Sequence, residues 1–503
     1  MSSRSSGTAY IGVDVGSSGC KAVLVDGSRV TAEAWAGYPT HRGHDGAVTQ
    51  DARDWLRALE TTVRRCASKA TRGSVQGLAI TAPAHNAVLV ERDGTPRRPV
   101  VLWSDPRPSR TAAELRKDLG VAYTRKTNVH RLDATWTFPQ LVWMRREQPA
   151  ALRRLGHVLV GKDYLRFCLT GVALTDPTDA AGTAMYDPFQ QSWLDDLPGL
   201  DGIAELLPPV AQATAPAGTL TAAAARRVGL PRGTPLVVGA TDTAAELVSV
   251  GAVDEGASLL KVATTGTVVV VTRQPPRGNL LLGYPHPLGE FWYQVGATSS
   301  AAAAYSWLAR ALSNDVDVRQ MDRLARRVSP GSDGVLFVPF LDGERTPYWD
   351  SNLRAAFFGL SAAHSRGHLC RAVLEGVALS LRGCWNAQLE AGATPAAPAL
   401  TGGGLASKLW REIVVAAIGI EAHRIEPQGP ALGAALLAAR GLSGAEPAMR
   451  RRRLEVAPDP EWVSAYTSLY EVYADVAASL ARASHRLVDL SGNARNNWKA
   501  GIR

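Results

Sequence analysis

The sequence predicts an α/β protein made of two similarly built halves, and three observations carry that reading. At 503 residues the chain exceeds what one hydrophobic core organises, so two or three domains are expected. Each half opens with a strand, a turn of small residues and a second strand. Each half later alternates helices with strands. The recurrence is of pattern rather than identity, and it is how a duplicated α/β architecture looks in sequence. The join falls near residues 245–255, with the Ala-, Pro-, Thr- and Gly-rich stretch 208–233 leading into it.

In the first half Thr8–Val15 reads as a strand, Ala22–Val25 as a second and Arg29–Tyr38 as a third. Asp51–Cys66 carries Trp55, Leu56, Leu59 and Val63 at helical spacing, which puts one apolar stripe against a core. Val75–Thr81 is a buried strand, and Ala87–Trp103 a hairpin turning at Asp93-Gly94. The second half predicts strands at Ala257–Ala263, Val268–Thr272 and Phe291–Gly296, then a helix from about Ser300 to Leu312. Strand Gly334–Pro339, helix Leu369–Leu389, strand Pro398–Thr401, helix Ala406–Ile418, strand Glu421–Ile425 and helix Ala431–Arg440 follow.

Composition narrows the class. Hydrophobic residues make up 46% and charged residues 20%, the balance of an ordinary globular chain. Cys20, Cys66, Cys168, Cys370 and Cys384 have neither paired nor metal-like spacing, which argues against a disulfide framework and fits a reducing, cytoplasmic setting. The N-terminus lacks a signal-peptide pattern, and apolar runs stop short of the roughly 18–20 residues of a membrane span. The net charge of +9 comes from dispersed arginines, without the basic, aromatic-interleaved face of a nucleic-acid binder. The tight run Arg450–Arg453 reads as solvated surface, with a binding role as the alternative.

The chemistry is read from small-residue turns and one carboxylate. In Gly12–Lys21 a strand meets a turn in which Gly16, Ser17 and Ser18 let backbone N–H groups approach phosphate oxygens, and Lys21 adds charge. Asp14 at the strand end is placed to hold Mg²⁺, directly or through water. A β-hairpin with a polar turn is the plainer reading of that segment alone. Thr264, Thr265, Gly266 and Thr267 form a second such turn, and two turns facing each other could clamp one polyphosphate. Gly402, Gly403 and Gly404 follow a strand and precede a helix, either as a tight turn or as a close approach to a ring or phosphate. No G-x-x-x-x-G-K-[ST] P-loop is present. Asp242 follows the buried strand Leu236–Val238 at a helix start, where it is either an N-cap or a functional group. Phosphoryl transfer needs a carboxylate that accepts a hydroxyl proton.

With these pieces in order the chain resembles the FGGY carbohydrate kinases, most closely their xylulokinase branch, from about Tyr10 to Arg440 and more loosely through Tyr466–Leu487. The resemblance rests on GVDVGSSGCK (Gly12–Lys21), VVLWSDPR (Val100–Arg107), VGKDYLRFCLTG (Val160–Gly171), TDPTDAAGT (Thr175–Thr183) and VVGATD (Val237–Asp242). In the second half it rests on LDGERTPYWD (Leu341–Asp350), FFGL (Phe357–Leu360), RAVLEGVA (Arg371–Ala378), TGGG (Thr401–Gly404) and GPALGAA (Gly429–Ala435). It implies two actin/Hsp70-like, ribonuclease H-like domains with a nucleotide cleft between them. Residues 1–248 would hold the sugar side, the first phosphate motif and the catalytic aspartate. Residues 249–490 would hold the second phosphate motif and the adenosine motif, and residues 491–503 a tail.

The resemblance implies ATP and Mg²⁺, with Asp14 and also Asp242 near the metal, and Asp242 as general base. It places nucleotide contacts at Gly16–Ser18, Lys21, Thr264–Thr267, Gly402–Gly404 and Ser407. The acceptor, a small ketose or sugar alcohol, would be met by Ala84, His85, Trp103, Asp105, Asp242 and Thr243. Ala84 and Thr243 depart from the branch, which carries a methionine before the histidine and an amide residue after the base, so D-xylulose leads and other ketoses and polyols stay open. A non-kinase actin/Hsp70-like ATPase and a sugar-binding member without turnover are the alternatives. Neither nucleic acid nor membrane is expected as a partner, and the assembly is left between monomer and homodimer.

Overall fold

The protein's structure, a computed structural model, describes residues 8–278, 280–312 and 317–500. The first sheet holds β1 (Ala9–Val15), β2 (Gly19–Asp26), β3 (Arg29–Gly37), β4 (Val75–Thr81), β5 (Pro216–Thr219) and β6 (Pro235–Val237) in the order β5-β6-β4-β1-β2-β3. The second holds β7 (Ser258–Val262), β8 (Gly266–Thr272), β9 (Leu282–Pro285), β10 (Trp292–Thr298), β11 (Ala399–Thr401), β12 (Ala422–Glu426) and β13 (Arg452–Val456) in the order β9-β10-β8-β7-β11-β12-β13. β1 pairs antiparallel with β2 and parallel with β4, and β7 pairs antiparallel with β8 and parallel with β11. The two sheets share a five-strand core, β3-β2-β1-β4-β6 and β10-β8-β7-β11-β12; each adds an antiparallel edge strand, β5 preceding its neighbour in the chain and β13 following it, and β9 is a further addition at the other edge of the second.

The helices packed around these sheets include α1 (Ala52–Ala67), α2 (Gly161–Thr170), α3 (Pro177–Gly182), α4 (Asp242–Val250), α5 (Arg366–Glu390), α6 (Lys408–Ile418), α7 (Pro430–Ser443) and α8 (Pro460–Ala500). Helix α1 starts where the Asp51 side chain accepts from the Arg53 N–H, and it buries Trp55, Leu59, Val63 and Cys66. Each such large apolar side chain contributes about 1.5–3 kcal/mol on burial. The Ala- and Leu-rich α7 is buried over Ala431–Ala439, as a helix apolar all round must be.

Although α7 belongs to the second half by sequence, it packs on the first sheet. A Cβ on Gly12 would meet Ala431 O at 1.9 Å, and one on Gly433 would meet Ala245 O at 1.7 Å. These glycines let α7 lie against β1 and α4. Gly429 donates to Ser249 Oγ at 3.0 Å, and Arg451 donates to the Ser249 carbonyl, so the halves are tied at this crossing.

Several segments add to or depart from expectation, while the arginine run is mostly exposed, as expected of solvated surface. The Asp93-Gly94 turn closes a short hairpin, with Glu91 N–H donating to Thr95 O at 2.9 Å and Arg97 N–H to Leu89 O at 2.7 Å, and only beyond it does the second arm leave: Ala87–Glu91 pairs on its other side with Leu155–Val160, and Val100–Val101 pairs with Val48–Gln50. Leu336–Val338 pairs with Ala356–Phe358 outside the main sheet, and α5 packs closely on it. A Cβ on Gly376 would meet Phe337 O at 2.0 Å. The arginine run enters edge strand β13, whose Arg453 pairs with Glu455, while the Arg450 N–H donates to Ser28 O at 2.8 Å. Helix α8 continues past residue 490, where a tail was expected, to Ala500.

Candidate active site

Gly16, Ser17 and Ser18 make the turn between β1 and β2, closed by Gly16 N–H donating to Gly19 O at 3.0 Å. Its carbonyls are pinned: Tyr38 donates to Gly16 O, and Gln50 Nε2 donates to Ser17 O at 2.8 Å. Among the described residues no acceptor meets the Ser17 or Ser18 N–H. The second turn, Ala263–Thr265 between β7 and β8, repeats the device. The Ala301 N–H donates to Thr264 O at 3.0 Å and the Ala302 N–H to Ala263 O at 2.8 Å, while the Thr264 and Thr265 N–H groups have no acceptor among the described residues. Two turns are thus fixed on their carbonyl side with donors left over.

Gly402 takes a φ of +86°, and a Cβ there would meet Val262 O at 2.3 Å. Gly404 packs on the Val262 side chain, whereas Gly403 has open space. The glycine run therefore lies against the end of β7. Ser407, expected at the nucleotide, is the N-cap of α6, its Oγ accepting from Trp410 N–H. Lys21 stands opposite Asp14 in register, but its amine pairs with Glu33 at 2.8 Å.

Asp14 Oδ1 is buried without a hydrogen-bond partner. Burial, then the Asp242 charge, push the Asp14 carboxyl up to about 7, against the pull of Lys261. Asp242 is the first residue of α4, and the cap is Thr241, whose side chain accepts from Ala244 N–H. That leaves the Asp242 carboxylate free of capping duty. Its Oδ1 accepts from the Thr243 N–H at 2.7 Å, and its own N–H donates to Ala82 O at 3.0 Å.

The loop carrying Asp242 is strapped from several sides. Thr81 Oγ1 donates to Ala240 O at 2.7 Å, Arg166 Nη1 to Val238 O at 2.7 Å, and Thr241 N–H to Thr178 Oγ1 at 3.0 Å. Gly239 has a φ of +80°, and a Cβ there would meet Ile80 O at 2.2 Å. Behind α3 lies a fully buried charge cluster. Lys162 Nζ is 2.7 Å from Asp163, 2.9 Å from Asp176 and 3.1 Å from Asp179, and Arg166 is 2.9 Å from Asp163. Burial raises the Asp179 carboxyl well above the usual range, with Lys162 opposing. The VGKDYLRFCLTG and TDPTDAAGT motifs meet in this cluster.

His85 has a φ of +74°, costly for a histidine and found where surroundings over-determine a functional geometry. Its Nδ1 faces Gly182 O, and a carbonyl can only accept, so Nδ1 carries the proton. Burial lowers the imidazole pKa, so the ring is neutral and Nε2 is left as an acceptor. His85 meets Trp136 edge-on at 5.0 Å, Trp136 meets Tyr284 at 6.3 Å, and Tyr284 stacks on Tyr293 at 5.3 Å, an aromatic wall spanning both halves. The Trp103 N–H donates to Asn86 Oδ1 at 2.8 Å. Asp105, expected at the sugar, is fully buried with both oxygens taken. Val48 N–H donates to Oδ2 at 2.9 Å, and Arg107 reaches both oxygens through its side chain. It anchors its loop instead of facing a ligand.

The Asp242 charge bears on Asp14, His85, Lys261 and Tyr284, and Asp133 and Arg345 bear on His85 and Tyr284. Lys261, paired with Glu246, went unread because it lies inside an apolar strand. Glu246 stands four residues after Asp242, the spacing that shares a helix face, and that signal was available. Asp133 and Tyr284 lie on stretches with no local motif of their own, whereas Arg345 sits inside LDGERTPYWD, where a signal was available. A separate open hollow of about 880 Å³, lined by residues including Arg125, His130, Gln274 and Arg277, contains none of the expected site residues.

Two ribonuclease H-like sheets closing on free N–H turns and an uncapped aspartate define an actin-like phosphotransferase fold. The comparisons agree. The N-terminal domain of the FGGY family of carbohydrate kinases matches residues 9–249 and its C-terminal domain residues 259–442. The chain belongs to that family and is a carbohydrate kinase. It is 31% identical to the xylulose kinase of Streptomyces rubiginosus over 468 residues, covering 91% of this chain and 93% of the relative. The solved xyloylose kinase from Brucella ovis superposes with a TM-score of 0.85 at 30% identity, over 94% of this chain and 99% of that one. The gluconate kinase from Lactobacillus acidophilus reaches a TM-score of 0.88 at 23% identity, over 96% and 100%, a likeness of fold alone. Among the described residues no helix is long and apolar enough to cross a membrane.

Proposed function

We propose that the protein transfers the terminal phosphoryl group of ATP to a hydroxyl of a small ketose, D-xylulose first among them, with Asp242 as the general base. The observation that carries the reading is the Asp242 carboxylate, freed from helix capping by Thr241 and charge-coupled to His85 and Asp14. The sugar oxygen attacks the terminal phosphorus, the bond to the bridging oxygen breaks, ADP leaves, and the hydroxyl proton passes to Asp242. His85 Nε2 accepts from another sugar hydroxyl and orients it. Base assistance of this kind contributes about 10²–10⁴-fold.

The residues fit a magnesium-bound nucleotide. Asp14 Oδ1 is buried and unpartnered, the two turns hold spare N–H donors, and Gly16 and Gly403 leave space where a Cβ would stand. Asp14 would hold the ion, with Asp242 nearby. Among the described residues no trio of His, Cys, Asp or Glu could form a metal cage, so phosphate and water would complete the coordination. When bound, Mg²⁺ supplies charge neutralisation at the phosphate oxygens.

The names of the relatives favour a xylulose-type acceptor. Ala84 and Thr243 shape the pocket beside the base, and Thr243 spends its N–H on Asp242. The test is ADP release across a panel of ketoses, pentitols and sugar acids. The expected outcome is sugar-dependent ADP, with a ketopentose giving the highest kcat/KM. ADP release indifferent to every sugar would overturn the proposal, and preference for a sugar acid would overturn the acceptor.

A further inference from the structure

We propose that Lys261 contacts the terminal phosphates of the bound nucleotide and that Glu246 positions it; this rests on the phosphoryl-transfer reading above. The duplicated fold supplies the first argument. Asp14 is the next-to-last residue of β1, opposite Lys21 on β2 and Thr81 on β4. Lys261 is the next-to-last residue of β7, opposite Thr267 on β8 and Thr401 on β11. The two residues occupy the same place in the two halves. One half presents an anion to the cleft and the other a cation, which suits a metal on one side of a polyphosphate and an ammonium on the other.

The neighbours of Lys261 point the same way. In register it stands between Thr267, on β8 just after the second turn, and Thr401 at the head of the glycine run. Thr81 spends its hydroxyl on Ala240 O, whereas the equivalent Thr401 Oγ1 is buried with no partner. An unpaired buried hydroxyl carries a desolvation cost, which a phosphate oxygen arriving beside Lys261 would relieve.

Charge bookkeeping explains why a lysine is needed. Asp14, Asp242 and Glu246 bring three carboxylates to the cleft floor, and Lys261 feels all of them. Burial works against its ammonium, but Glu246 and then Asp242 more than offset it and hold it protonated. Without that charge a polyanionic nucleotide would meet only repulsion from this floor. The Glu246 side chain is 4% exposed and that of Lys261 22%, so the carboxylate is sealed in while the lysine side chain keeps some exposure. A lysine is a compact point charge with rotatable donors, suited to phosphate.

The competing account is a tie between halves, since Glu246 sits on α4 and Lys261 on β7. Calorimetric titration of ADP with Mg²⁺, without sugar, separates the two. Lys261→Met should weaken ADP binding by at least about tenfold, the loss expected for a hydrogen bond to a charged group, while Lys261→Arg recovers most of it. Glu246→Gln should weaken ADP less, and the sugar-induced rise in melting temperature should be unaltered in all. If Lys261→Met leaves Glu246 too costly to bury, the double variant Lys261→Met/Glu246→Gln removes that charge and should still bind ADP weakly. Wild-type ADP affinity in either methionine variant, whatever its melting temperature, would overturn the proposal. A wild type that binds ADP yet phosphorylates no sugar would instead overturn the kinase reading and leave Lys261 standing.

Discussion

At Gly16–Ser18 and Ala263–Thr265 the groups on offer to a ligand are backbone N–H, whereas around Asp242 they are side chains drawn from distant stretches. The turns hold their shape through carbonyls pinned by Tyr38, Gln50, Ala301 and Ala302, each from the same half of the chain as the turn it holds. The proposed acceptor side draws His85, Trp136, Asp242 and Tyr284 from both halves, beside ions sealed behind α3. The lesson is that nucleotide binding should tolerate changes in the acceptor scaffold, while acceptor geometry should fail when its buried support is disturbed.

The largest expected effect comes from that support. Lys162→Met strands the Asp176 and Asp179 carboxylates, and leaves Asp163 with Arg166 alone, in a site with no solvent access. Removing one partner of such buried charges costs about 3–5 kcal/mol. Urea unfolding should show it, and the surviving fold should keep its ADP affinity while kcat falls. A loss under about 1 kcal/mol, the surface-pair scale, would mean that the cluster is not the support it looks to be.

Next comes the base. Asp242→Asn keeps shape and loses basicity, so kcat should fall at least about a hundredfold with sugar KM little changed. Retention of most of the wild-type kcat would send the proton by another route and erase the functional contrast between the two sides.

The third test concerns Asp14 and pH in protein free of nucleotide and metal. Its folded carboxyl titrates at about 7 against an ordinary 3.8. Between these values the folded state holds a proton that the unfolded state has lost, so stability falls as pH rises through this window and is lowest above it. The slope approaches about 1.4 kcal/mol per pH unit for one such group. Melting scans from pH 4.5 to 8 should therefore fall more steeply for wild type than for Asp14→Asn, and parallel curves would refute the assignment. The smallest effect is selectivity. Ala84→Met with Thr243→Asn should move relative kcat/KM towards D-xylulose by roughly tenfold, the scale of a methylene-sized change in a pocket. An unchanged ratio between xylulose and the best substrate would show that other residues choose the sugar.

Much of the fold was legible because its signals are local. Strand Val75–Thr81 matches its expected span, and the stripe of Trp55, Leu59 and Val63 marks α1. Short motifs also located the two turns and Asp242, since a turn of small residues and a carboxylate after a buried strand are written in consecutive positions. Tertiary structure alone decided the rest, because those features depend on partners far along the chain. GPALGAA reads as one motif of the resemblance, yet its Gly433 and the distant Gly12 serve the close packing of α7 on the first sheet. Asp105 looks like a ligand contact until Arg107 and Val48 are seen to take both its oxygens. Ser407 proves to be a cap only once α6 starts beside it. Lys261 hides within an apolar strand and becomes a cleft cation only when α4 brings Glu246 against it. Sequence specifies which groups a segment carries; which of them remain free for chemistry is settled by what the folded chain has already bonded.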